Sequence, residues 1–209
     1  MSAFMVLFPV LVPFFLTFLK GEGLPERLNW WKSLGAGLVS YLIVLIFAWA
    51  GGFSRGLLPS FMRDLLFWTL SGFLPLGIAA GLGFLLFRGG SYESFLSDRT
   101  LFPFLMGLYL PTGLDNIVRY VHYQDAYVLF GLPISELLFL LVVGMLFQQA
   151  LDSQGGRRLL FNLLLLPGAF LFALVPALYY SFFSLAALLV LCLLLCGVVW
   201  LTVRSTLLG

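Results

Sequence analysis

Apolar residues along this chain do not recur at a helix or strand period. They come in long, near-continuous runs separated by short polar breaks. Seven runs can be marked: Ser2–Leu19, Leu34–Phe53, Leu65–Phe87, Leu101–Leu114, Ala126–Phe147, Leu159–Tyr180 and Phe182–Val203. A bilayer's hydrocarbon core, about 30 Å thick, takes about 20 helical residues to cross. A helix that is apolar on every side belongs in lipid or in the centre of a large bundle. The pattern therefore predicts an all-α fold, a polytopic transmembrane helical bundle. The first run lacks a basic leader and a small-residue cleavage site, so it is read as an uncleaved span.

Two stretches complicate the count. GEGLPERLNWWKS, between the first and second runs, carries Leu24, Leu28 and Trp31 at helical spacing, with Pro25 suited to a first turn. Trp30 and Trp31 beside Lys32 mark an interface, and the expectation is a short helix lying at the headgroups. The fourth run, Leu101–Leu114, is short enough to be re-entrant, which would leave six spans plus a re-entrant segment.

Charge decides between the two counts. With seven spans and the N-terminus outside, the inner loops hold Lys20, Arg27, Lys32, Arg88, Arg99, Arg157, Arg158 and Arg204. The outer loops hold only Arg55, Arg63 and Arg119, a split of 8 to 3. If the fourth run does not cross, the split becomes 6 to 5. Cytoplasmic loops carry the excess of Lys and Arg, so seven spans are favoured, with the C-terminus in the cytoplasm.

Composition agrees. Of 209 residues 62% are hydrophobic and 10% charged, and the mean hydropathy is +1.08. Soluble domains carry about 25% charged residues. No polar stretch is long enough for a soluble core, so residues 1–209 read as a single integral membrane domain. The expected location is the plasma (inner) membrane. A net charge of +2, scattered along the chain, excludes a nucleic-acid surface. Cys192 and Cys196, four apart in the last run, read as packing residues and not as a disulfide.

Candidate chemistry concentrates between Pro111 and Glu136. This stretch holds His122, the single histidine, together with Asp115, Asn116, Arg119 and Asp125. If the fourth helix continues past Gly113, Asp115, Arg119 and His122 share one face at i, i+4 and i+7. Asp115 and Arg119 could pair, and His122, with an unperturbed pKa of about 6.5, could carry a proton. The competing reading is a solvated outer loop with Tyr109, Tyr120, Tyr123 and Tyr127 at the interface. Leu110-Pro111-Thr112-Gly113 and Gly131-Leu132-Pro133 interrupt the flanking runs, as broken helices that line substrate sites do.

Glu136 lies about ten residues into the fifth run, where a carboxylate is costly and should face a bundle interior. It reads either as a proton, cation or salt-bridge site or as part of a helix restart behind Pro133. In the third run Gly77, Gly81 and Gly83, with Ala79, would let another helix approach closely. That neighbour is expected within the chain, with a partner membrane subunit as the alternative. Ser97-Asp98-Arg99-Thr100 reads as a helix start. Asn162 reads as helix-to-helix glue.

Absences narrow the field further. The chain has no HExxH, no Walker A and no GxSxG motif. The last run has no lysine for a retinal Schiff base, and no run has the regular arginines of a voltage sensor. No cofactor and no metal is expected. Two functional expectations remain. One is a non-enzymatic subunit that binds a small solute, a lipid or a partner membrane protein, with Asn116, Arg119 and Glu136 as contacts. The other is an enzyme acting on a lipid-linked substrate at the outer interface, with Asp115, His122 and Asp125 for acid/base chemistry and Arg119 as anion holder.

Overall fold

A computed structural model describes residues 24–50, 60–88, 98–120, 127–152, 164–181 and 184–208. Every regular element among the described residues is helical, so the all-α expectation holds. In chain order these are α1 (Leu24–Ala50), α2 (Ser60–Phe67), a π-helical turn (Trp68–Phe73), α3 (Leu74–Arg88) and α4 (Asp98–Tyr120). A second π-helical turn (Tyr127–Gly131), α5 (Leu132–Asp152), α6 (Leu165–Tyr180) and α7 (Ser184–Leu208) follow. The first apolar run and Asn162 lie outside the described residues.

Among the described residues, two helical stretches are long and apolar enough to cross a membrane, Asn29–Phe47 with 19 residues and Phe61–Leu86 with 26. Leu132–Phe147, Leu165–Tyr180 and Ser184–Val198 are shorter apolar helices. The second of the long stretches runs through α2, the π turn and α3 without a break.

Three sequence expectations change. The separate headgroup helix is not seen: the Trp30-Trp31 segment and the second run form one 27-residue α1. No breaker stands between Trp31 and Leu34, so the helix has no reason to stop. The fourth run is not a 14-residue piece either, because α4 spans 23 residues and carries Pro103 and Pro111 inside it. A proline removes one donor and crowds the preceding turn. The Thr112 hydroxyl donates to the Leu108 carbonyl at 2.8 Å, a side-chain bond in the turn that holds Pro111. Lastly, Cys192 and Cys196 are exposed on α7 and do not pack.

The described chain falls into two compact units. Unit 1 comprises residues up to Phe47 and Pro75–Ile134; unit 2 comprises Ala48–Leu74 and Ser135 onwards.

Unit 1 is built on small residues. Gly37 of α1 lies against the backbone of α4 at Phe104, Gly107 and Leu108, and Gly107 lies against the backbone of α1 at Leu34. Neither site has room for a Cβ, so the two helices cross at main-chain contact. Such crossings are favoured in lipid, where burial of apolar surface cannot drive association and close packing must. Gly83 of α3 lies against the Ser40 hydroxyl of α1 and the Phe104 ring, and Gly77 and Gly81 are buried too. Ser40 donates to the Ala36 carbonyl at 2.8 Å, so its buried hydroxyl is satisfied within its own helix.

Unit 2 is built on aromatic rings. Phe73, Phe139 and Phe172 form a buried triangle with centroid separations of 5.4, 5.5 and 6.0 Å, two of the three contacts edge-on. Trp68 stacks on Tyr180 at 6.1 Å. Helix α6 packs on α2, on the first π turn and on α7, and buries Ala169, Phe172, Ala173, Val175, Pro176 and Ala177. It ends at Tyr180, between the sixth and seventh runs, where the Ser181 amide donates to the Ala177 carbonyl at 3.1 Å. The opposite side of α7, through Leu185, Leu189 and Leu193, is exposed, Leu193 by 72%.

Candidate functional site

Helix α4 begins at Asp98, where the Ser97–Thr100 segment leads a helix to start, and continues through Pro111 to Tyr120. The condition for a shared polar face is thus met as far as the helix goes. Asp115 and Arg119 stand four residues apart in regular helix, and Asn116 lies beside them. Asp115 and Asn116 are half-buried. His122 and Asp125, the other two members of the expected cluster, lie outside the described residues, as does the side chain of Arg119.

The interruption expected at Leu110–Gly113 is absent from the backbone, which remains α-helical. Pro111 here is accommodated inside a helix, and a broken helix lining a site is not formed on this side. The Gly131-Leu132-Pro133 interruption takes a different form. Tyr127–Gly131 winds as a π-helical turn and joins α5 directly.

That junction bears on Glu136. Because Tyr127–Gly131 is already helical, the positive end of the helical stretch lies more than two turns before Glu136. The dipole of a helix falls off within its first turn. Glu136 is 6% exposed, and Ser135 beside it is fully buried. Three residues on, Phe139 belongs to the phenylalanine triangle, so Glu136 and the triangle share one face of α5. A carboxylate in that setting is costly, and its burial requires compensation that a surface carboxylate does not.

Asp115, Asn116 and Arg119 belong to unit 1, and Glu136 belongs to unit 2. Among the described residues there is no group of three or more His, Cys, Asp or Glu side chains that could hold a metal ion. Arg63 Nε and Asp64 Oδ1 are 3.3 Å apart on α2, a partly exposed neighbour pair that contributes little.

Sequence reasoning missed the buried hydroxyls. Ser33, Ser40, Thr69, Thr112 and Ser135 are all buried. Their signal was present: Ser33 and Ser40 stand seven apart with Gly37 between, one small-residue stripe on one face of α1. No family model, no curated protein and no solved structure matches this chain.

Proposed function

We propose that this is a non-enzymatic integral membrane protein, a seven-span bundle with its N-terminus outside. In this reading it serves as a solute- or lipid-binding transport subunit or as a subunit of a membrane complex in the plasma (inner) membrane. The observation that carries the proposal is Glu136. A carboxylate is kept buried in an apolar helix beside a buried serine and one turn from an aromatic core. Such residues inside membrane segments mark solute and ion pathways by default. The exposed leucines of α7 support the membrane setting. The tight crossing of α1 and α4 supports assembly in lipid. In this reading Gly83 serves contact within the chain, and a partner subunit would meet the chain elsewhere.

A second reading rests on α4. Its helix carries Asp115, Asn116 and Arg119 together, which suits an enzyme that holds an anionic headgroup with Arg119 and uses Asp115, His122 and Asp125 as acid and base.

Native mass spectrometry of gently solubilised protein, with chemical analysis of whatever remains bound, separates the readings. A bound solute, lipid or partner chain that Glu136→Gln releases, and that Asp115→Asn does not, supports the subunit. Turnover of a lipid that Asp115→Asn and His122→Ala abolish supports the enzyme. Retention unaffected by any of the three variants refutes both site assignments.

A further inference from the structure

The long apolar stretch Phe61–Leu86 begins with a charged pair. Between residues 60 and 87 the sequence has no charged residues besides Arg63 and Asp64. A partly exposed pair of neighbours adds little to stability, so its presence needs another account. The pair stands one turn ahead of a row of aromatic rings. Arg63 is four residues from Phe67 and Asp64 four from Trp68, the spacing at which helical side chains adjoin. The Phe67 and Trp68 rings meet edge-on at 5.5 Å, and Trp68 stacks on Tyr180 at 6.1 Å. Tyr180 in turn meets Tyr179 edge-on at 5.5 Å. All six residues belong to unit 2.

That stack sets a level. Trp68 opens the first π turn, directly after α2, and Tyr180 is the last residue of α6, next to the turn at Ser181. The charges of one helix and the end of another therefore share one end of unit 2. Tyr and Trp gather at the boundary between hydrocarbon and headgroups. In the membrane reading proposed above, on which this inference rests, that end of the unit lies at headgroup level.

The hydrogen bonds of the pair are only partly spent. A guanidinium carries five N–H donors in a flat fork, and a carboxylate accepts at both oxygens. Arg63 Nε donates to Asp64 Oδ1 at 3.3 Å. Among the described residues neither Arg63 Nη group nor Asp64 Oδ2 has a further partner. The two side chains are 41% and 22% exposed, so both are within reach of a ligand. With Nε tied to Asp64, the Nη edge is the one left for a second anion, and its two donors match two oxygens of a phosphate. Beside the pair, Met62, Leu66 and Leu70 recur every four residues along the same helical stretch, all exposed. A cation, an anion and an apolar lane are the complement of a phosphate, an ammonium and an acyl chain.

We propose that this end of unit 2 binds one phospholipid whose headgroup carries a primary ammonium. The two Nη groups of Arg63 take the phosphate, Asp64 Oδ2 takes the ammonium, and an acyl chain lies along Met62, Leu66 and Leu70. Asp64 makes the selection. A trimethylammonium has no N–H to donate to it, and a glycerol headgroup brings it no positive charge. The site stands apart from Glu136 and from the polar face of α4, so it goes beyond either functional reading.

The test is native mass spectrometry of the full chain released from nanodiscs. These hold equal amounts of phosphatidylethanolamine, phosphatidylcholine and phosphatidylglycerol with identical acyl chains. The expected result is phosphatidylethanolamine retained about fivefold over each of the others, the scale of one partly exposed charged contact. Asp64→Asn should bring the three lipids close to equality, and Arg63→Gln should lower the retention of all of them. Trp31→Leu, which alters an exposed ring of unit 1, should change nothing. Equal retention by the unsubstituted chain, a preference for phosphatidylglycerol, or selectivity that survives Asp64→Asn overturns the proposal. So does displacement by soluble glycerophosphoethanolamine at equal concentration, which would make the ligand a free headgroup. Should either variant lose its helicity by circular dichroism, the retention ratio of the unsubstituted chain decides alone. A chain that does not enter nanodiscs refutes the membrane reading, and this site with it.

Discussion

Replacing Gly37 by alanine adds one carbon to the point where α1 and α4 touch. That carbon would overlap the Phe104 carbonyl oxygen and lie 2.9 Å from the Leu108 nitrogen and 3.0 Å from the Gly107 carbonyl carbon. All three are main-chain atoms of a helix, so no rotamer change can move them aside. To reach an ordinary separation of about 3.5–4.0 Å the helices must part by roughly 1.5 Å, which loosens contacts all along the crossing. Overpacking of this kind costs about 1–3 kcal/mol. Gly107→Ala meets the Leu34 backbone in the same way, with carbons at 2.9 and 3.1 Å, and carries a similar cost.

The two substitutions strain a single interface, so they will not add. Once the first has parted the helices, the second finds part of its room already made, and the double variant costs less than the sum. Gly35 provides the control on the same helix, since a Cβ there meets nothing within 4 Å. Gly35→Ala should be neutral or stabilise by up to about 1 kcal/mol, from helix propensity alone. Reversible unfolding in mixed micelles, followed by circular dichroism, measures all four variants. A Gly37→Ala cost within about 0.5 kcal/mol of zero, the range of an ordinary surface change, refutes the close crossing. So does strict additivity with Gly107→Ala.

Further outcomes follow from other parts of the molecule. Phe139→Ala empties the centre of the phenylalanine triangle. It should cost near the lower end of the roughly 3–5 kcal/mol seen for buried aromatic truncations, because in lipid chiefly the packing share is lost; a cost comparable with Phe170→Ala, on the exposed side of α6, would contradict the triangle as core. Cys192 and Cys196 should react in vesicles with a lipid-soluble maleimide and resist a charged, membrane-impermeant thiol reagent, since they lie among exposed leucines on α7. Fast labelling by the charged reagent from either side would place that face in water.

Much of the fold is legible in the sequence, for a plain physical reason. Whether a segment is helical and apolar depends on its own residues. The runs around Leu34–Phe53, Leu65–Phe87, Ala126–Phe147 and Phe182–Val203 accordingly coincide with helices α1 to α3, α5 and α7, with shifted ends. Helix ends were less legible. Whether Pro111 stops α4 depends on what satisfies the turn around it, and the Thr112 back-bond to Leu108 is a feature of the folded backbone. Tertiary structure alone decided which small residues matter. Gly35, Gly37 and Gly197 look alike in sequence, yet only Gly37 has another backbone against it. It also decided that Glu136 is buried while Cys192 and Cys196 are exposed, because burial is set by which face of a helix its neighbours cover. The π turns stand between the two cases. Their aromatic-x-Leu-x-Gly and Leu-Pro signature can be read from the residues, but the wider register that the backbone takes there belongs to the folded helix.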